Sequence, residues 1–141
     1  MFLHTTQERV RYADTDQMGF MYYGNYAKFY EIGRVEALRA MGMSYKKMEE
    51  DGIMLPVLEN YSKFIRPAKY DNLVTIKTML KEMPSTRVRF EYELYDEEGA
   101  LLNIGYTTLV FLSVETQRPC KAPESLLQLL APHFDNTTSR P

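Results

Sequence analysis

Asp14 and Asp16 stand two residues apart, where a strand-like run ends in an acidic, glycine-containing loop. Two carboxylates so placed can bind a divalent cation, serve as base or nucleophile, or accept hydrogen bonds from turn amides. Metal binding has little support. No His or third well-spaced carboxylate lies nearby, and the chain's 2 histidines, His4 and His133, fall at its ends. No metal is expected. The following residues, Gly19 through Asn25, lead into the start of a long helix. Unpaired N–H groups and the positive end of a helix dipole gather at such a start, where they can polarise a carbonyl or hold an oxyanion. A carboxylate a few residues upstream, facing the same carbonyl, completes a sufficient set for acyl transfer to water. The plainer reading, in which both Asp side chains only order the loop, stays open at this point.

The elements that must position these groups can be read from periodicity. Thr5–Tyr12 reads as a first strand, and Gly19 permits a tight loop. A helix is expected from Asn25, as N-cap, to Gly42, just past its end. Tyr26, Phe29, Tyr30, Gly33, Ala37 and Met41 would form its apolar stripe. At roughly 1.5 Å per residue such a helix is about 24 Å long. Ser44 can cap a short second helix, Tyr45–Asp51. Strands are expected at Ile53–Ile65, Leu73–Met83, Arg87–Tyr95 and Ala100–Val114, with a hairpin turn at Asp96-Glu97-Glu98-Gly99. Arg87–Tyr95 alternates most clearly, with Val88, Phe90, Tyr92 and Leu94 on one face and charged residues on the other. A short helix follows Pro123, over Glu124–Leu130, and residues 135–141 read as a frayed tail. The sum is an α+β domain spanning 1–141, with an antiparallel sheet and its main helix on one face. An open sheet edge invites pairing across a two-fold.

Composition bounds the partners. The 141 residues suit one domain with a real core. A net charge of −2 with no basic block argues against nucleic acid. Cys120 stands alone, so no intrachain disulfide can form, which suggests a reducing compartment. Neither a signal peptide nor an apolar run long enough to span a bilayer is evident, and a cytoplasmic location is expected. Tyr (11) and Phe (7) are abundant, enough that some can line a pocket or an interface.

Asp14-Thr15-Asp16-Gln17-Met18-Gly19-Phe20-Met21-Tyr22-Tyr23-Gly24-Asn25-Tyr26 resembles the D-x-D-x-x-G signature of hotdog-fold acyl-CoA thioesterases, of the 4-hydroxybenzoyl-CoA and Tol-Pal-associated type. Phe29, Tyr30, Glu31 and Arg34 resemble that family's helix, and Arg66, Pro67, Ala68 and Asp71 its R-P-A-x-x-D turn. The resemblance implies a five-stranded antiparallel sheet wrapped around one long central helix. It also implies a homodimer or homotetramer with active sites at the subunit interface. Asp16 would be the catalytic carboxylate, as nucleophile or general base, and the Tyr23 backbone N–H would polarise the thioester carbonyl. The substrate would be an acyl-CoA or an acyl carrier protein thioester, with coenzyme A part of the substrate and no other cofactor. Asp14, Gly19, Asn25, Glu31, Arg66 and Arg87 are further candidates around the substrate. Glu31 is expected to pair with Arg34 or a neighbouring strand. Arg66, Lys69, Arg87 and Arg89 can meet coenzyme A phosphates. Near the fourth strand the chain departs from several relatives, with Met83-Pro84-Ser85-Thr86 where basic residues are common.

Two other functions compete. A hotdog module can hold acyl thioesters or partner proteins without turnover, although an intact Asp16 argues against that. A hotdog dehydratase would need a catalytic His near the active helix, and neither His4 nor His133 is placed for it.

Overall fold

The alternation in Arg87–Tyr95 becomes the middle of a sheet. Val88, Phe90, Tyr92 and Leu94 are buried, and the charged residues between them face the other way. The structure, a computed structural model, describes residues 1–134; the tail 135–141 lies outside the described residues. Its strands are β1 (Phe2–Arg9), β2 (Ile53–Met54), β3 (Val57–Phe64), β4 (Leu73–Leu80), β5 (Arg87–Tyr95), β6 (Leu101–Val110) and β7 (Leu112–Ser113). Its α-helices are α1 (Asn25–Ala40), α2 (Tyr45–Glu50) and α3 (Glu124–Phe134). Five strands form one sheet in the order β1-β4-β5-β6-β3, and every neighbouring pair is antiparallel. The architecture is therefore α+β with an antiparallel sheet.

α1 packs on β1, β4 and β5. Its buried residues are Tyr26, Phe29, Tyr30, Gly33, Arg34, Ala37 and Leu38, while Met41 is only partly covered. Each fully buried aromatic there contributes about 1.5–3 kcal/mol through lost water contact. Gly33 sets how closely the helix approaches β4, since a Cβ there would collide with the side chains of Thr78 and Ile76. Tyr30 stacks on Tyr92 of β5 with ring centroids 4.2 Å apart.

Several boundaries differ from the sequence reading. The first strand is Phe2–Arg9, and Tyr12–Asp14 form a single turn of 3-10 helix. Ile53–Ile65 divides into β2 and β3, because Leu55 and Pro56 interrupt the ladder. Ala100–Val114 divides likewise, and β7 leaves the main sheet to pair with β2. α3 runs on through Pro132 to Phe134, longer than the expected Glu124–Leu130, and His133 at its end meets the Phe2 ring edge-on. Asn25 does not cap α1. Gly24 holds that position, in helical conformation and without a side-chain cap. Among the described residues, no helix is long and apolar enough to cross a membrane.

Candidate active site

The Asp14–Asn25 loop folds back on itself and onto the Arg66–Lys69 connection. Asp16 N–H donates to Phe20 O (2.8 Å) and Gly19 N–H to Asp16 O (3.0 Å). Gly19 sits at φ +81, a left-handed conformation that side chains adopt only with strain. Met21 N–H donates to Ala68 O (2.7 Å), and Tyr70 N–H to Gly19 O (3.3 Å). The R-P-A turn thus clamps the outer side of the loop. Tyr22 N–H and the Asn25 side-chain amide both donate to Asp14 O, at 2.8 and 2.9 Å. Asn25 therefore holds the loop instead of capping the helix.

The two aspartates occupy different environments. Asp14 is buried, at 4% exposure. Its carboxylate accepts from the Arg11 N–H (2.9 Å) and from the Lys28 ammonium on α1. Burial alone would raise its pKa, but Lys28 and the Arg11 N–H outweigh that and hold it below the ordinary carboxylate value. Asp14 is thereby committed to the loop. Asp16 is only half-buried. Its Oδ1 accepts from Met18 N–H (2.9 Å) and Phe20 N–H (3.3 Å). Those bonds fix the carboxylate, and Oδ2 carries no hydrogen bond from the described residues.

Asp16 opens onto a cavity of about 320 Å³, walled by Phe20, Tyr23, Tyr26, Phe64, Arg66 and Pro67 among others. Tyr23 is exposed, and among the described residues no acceptor meets its N–H. The first turn of α1 carries no acidic side chain to neutralise the helix dipole. Tyr26 and Phe64 meet edge-to-face at 5.0 Å and close the cavity floor. Burial pushes the Tyr26 hydroxyl up, the Ala68 N–H it accepts pulls it down, and the nearby Asp16 carboxylate adds to the rise. A half-buried carboxylate, an unused helix-start N–H and a guanidinium therefore share one apolar-walled space. That set can bind an acyl carbonyl, stabilise the oxyanion made from it and deliver a nucleophile.

The other candidates fall elsewhere. Gly19 lines a neighbouring cavity that also touches Asp16, Tyr12 and Tyr70. Arg87 and Arg89 line a separate cavity with Glu59, Lys81 and Glu91. Glu31 lies further along α1 and lines two cavities with Arg34. The expected Glu31–Arg34 ion pair is absent. Arg34 instead donates from Nε to Tyr45 Oη (3.1 Å) and from Nη1 to Tyr92 Oη (3.1 Å) and Thr107 Oγ1 (3.3 Å). Burial works against the Arg34 charge, but the Tyr92 and Tyr45 oxygens outweigh it and its pKa lies above the ordinary value. Lys28 and the Phe64–Ile65 wall escaped the sequence reading. Lys28 stands one residue before the F-Y-E run, and only the folded loop brings Asp14 to it.

Residues 10–130 match the family model described as the thioesterase-like superfamily. The chain is 27% identical over 119 residues to the putative acyl-CoA thioesterase YneP of Bacillus subtilis, covering 84% of this chain and 86% of that protein. It is 29% identical over 119 residues to the acyl-CoA thioester hydrolase YbgC of Escherichia coli, covering 84% and 89%. A crystal structure of a DHNA-CoA thioesterase from Staphylococcus aureus superposes with a TM-score of 0.90 at 28% identity, covering 100% of this chain and 97% of that one. The aspartate loop, the helix it feeds and the antiparallel sheet all lie within the matched span, and this chain belongs to the thioesterase-like superfamily, with the hotdog thioesterase fold.

Proposed function

We propose that this protein hydrolyses acyl-CoA thioesters to a free carboxylic acid and coenzyme A. The observation that carries the reading is the pairing of Asp16 with the unused Tyr23 N–H on one cavity. The thioester carbonyl oxygen would accept from Tyr23 N–H, and the helix dipole would favour the charge that grows there. Asp16 would then attack the carbonyl carbon, expelling the thiolate and leaving a mixed anhydride for water to cleave. Alternatively it would take a proton from the water that attacks. Arg66, at the cavity wall, suits a phosphate or pantetheine amide of the substrate. No metal or prosthetic group is part of this chemistry, and an acyl carrier protein thioester is the alternative donor.

The reading includes a second copy of the chain. β3 is an edge of the sheet, and Val57, Leu58, Tyr61 and Phe64 on it are all exposed. Pairing this edge across a two-fold would cover those side chains and bring a second wall to the cavity, since Phe64 and Ile65 already line it. In this reading each copy is one domain, its sheet wraps α1 as the central helix, the assembly is a homodimer or homotetramer, and the enzyme works in the cytoplasm.

The test is release of free thiol from a panel of short, long and aromatic acyl-CoAs, with Cys120→Ser as background so that the thiol reagent finds no protein cysteine. Turnover of one or more members supports the reading. No turnover of any acyl-CoA or acyl carrier protein thioester, with binding retained, would leave the non-catalytic module.

A further inference from the structure

Asp16 lines two cavities, and the loop that carries it is the partition between them. The residues after Asp16 alternate. Met18 and Phe20 line the cavity already described, while Gln17 and Gly19 line the second. The first cavity is apolar-walled, and its polar groups are Asp16, Arg66 and the Tyr23 N–H, each of which has a part in holding the thioester. The second has a volume of about 620 Å³. Beside Asp16 and Gly19 it is walled by Tyr12, Thr15, Gln17 and Tyr70, every one of which carries a polar side-chain group. Tyr12 and Tyr70 are exposed and meet edge-on at 6.2 Å, so this cavity opens to solvent.

Gln17 holds the second position of the turn Asp16–Gly19, which Gly19 N–H closes on Asp16 O (3.0 Å). On one side of it, Asp16 Oδ1 accepts from Met18 N–H (2.9 Å); on the other, Tyr70 N–H pins Gly19 O (3.3 Å). The backbone at Gln17 is therefore held from both sides. Its side chain is exposed, and among the described residues its amide joins none of the loop's hydrogen bonds. The Thr15 hydroxyl, by contrast, is engaged by Tyr12 O (2.7 Å). A glutamine in an exposed turn is ordinarily just solvated. This one adjoins Asp16 on the side where the cavity is polar. A side-chain amide offers donors and an acceptor and does not titrate, so it can orient a water without competing for the charge on Asp16.

We propose that the reacting water reaches Asp16 from this second cavity and that Gln17 is the residue that positions it. This rests on the hydrolytic reading. The thioester takes the polar groups of the apolar-walled cavity, and the water takes those of the other, with Asp16 where the two meet. The water oxygen bonds to the acyl carbon. If the thioester is still intact, Asp16 takes the water's proton and the C–S bond breaks, releasing coenzyme A thiolate. If Asp16 has already displaced the thiolate, the C–O bond of the anhydride breaks, Asp16 returns as a carboxylate, and the proton passes to solvent through the open cavity. Gln17 takes no proton in either route. It is a positioning residue that raises the fraction of time the water is aligned.

The test offers the enzyme two nucleophiles, water and hydroxylamine, with the best acyl-CoA of the panel. Acid, hydroxamate and thiol are measured above the uncatalysed background. Hydroxylamine is not held by Gln17, so Gln17→Ala should raise the hydroxamate-to-acid ratio about tenfold, through a fall in kcat for hydrolysis with KM little changed. Gln17→Asn keeps an amide on a shorter stem and should restore part of the wild-type ratio. A Gln17 that only shapes the loop would lower both products together. A ratio that stays at the wild-type value overturns the proposal, whether both products fall, neither falls, or KM alone rises. Gln17 is exposed, so Gln17→Ala should fold, and an unchanged melting temperature checks that. Thiol release by wild type separates the two failures. Where it occurs, the ratio judges Gln17 alone; where no thioester releases thiol, the hydrolytic reading falls and this proposal with it.

Discussion

Lys28, in the first turn of α1, bonds the carboxylate of Asp14 in the loop before it, with the Asp14 side chain 5% exposed and the Lys28 side chain 48% exposed. The pair fixes the loop that carries Asp16 and Tyr23 to α1, which begins at Asn25. Lys28→Met would leave a buried carboxylate with only the Arg11 N–H. The expected loss of stability is about 2 kcal/mol, read as a lower urea midpoint at neutral pH.

The same pair gives acid sensitivity with a defined sign. Asp14 titrates lower in the folded protein than its ordinary 3.8. Its contribution to stability is complete above that value and fades as pH falls through the lower folded value. Asp14→Asn removes this contribution. The stability gap between wild type and Asp14→Asn should narrow in urea titrations as pH falls below about 4.

Gly33→Ala tests the close approach of helix and sheet. The new methyl meets the Thr78 and Ile76 side chains, and the helix must shift. A loss of about 1–3 kcal/mol is expected in chemical denaturation. Unchanged stability would mean that α1 has slack against β4.

Arg66→Met should raise KM for acyl-CoAs several-fold with a smaller change in kcat, because Arg66 borders the Asp16 cavity but holds no reacting atom. Steady-state kinetics at two salt concentrations checks this. The wild-type KM should rise with salt and that of the variant should rise less.

Leu58→Asp with Val57→Lys tests the edge. Both residues are exposed on β3. Sedimentation should give an assembly of two or more copies for wild type and a smaller species for the variant, with activity falling in parallel. A wild-type monomer with full activity would contradict the interface reading.

The sheet was legible where one face is wet and the other dry. Val88 to Leu94 alternate because β5 is central and covered by α1 on one side only. β3 was not delimited, since nearly every residue on it is exposed in one chain and no alternation marks its ends. The D-x-D loop offered Asp16 and Tyr23 and the R-P-A-x-x-D turn offered Arg66, and all three border one cavity. Arg34 read as a partner for Glu31. Its true partners come from α2, β5 and β6, and no local pattern brings Tyr45, Tyr92 and Thr107 together. Asn25 read as a cap by residue type. The acceptor that claims its side chain, Asp14 O, lies eleven positions earlier in the chain.

The central claim is that Asp16 carries the reaction. The most direct measurement is kcat/KM of Asp16→Asn against wild type on the best acyl-CoA, with binding of the same thioester measured on both proteins. Asn keeps the size of the side chain and its Oδ1 acceptor for Met18 and Phe20, and removes only the charge. The account predicts a loss of about a hundredfold or more in kcat/KM with binding nearly unchanged. Unimpaired turnover by Asp16→Asn would contradict it and move attention to Glu31.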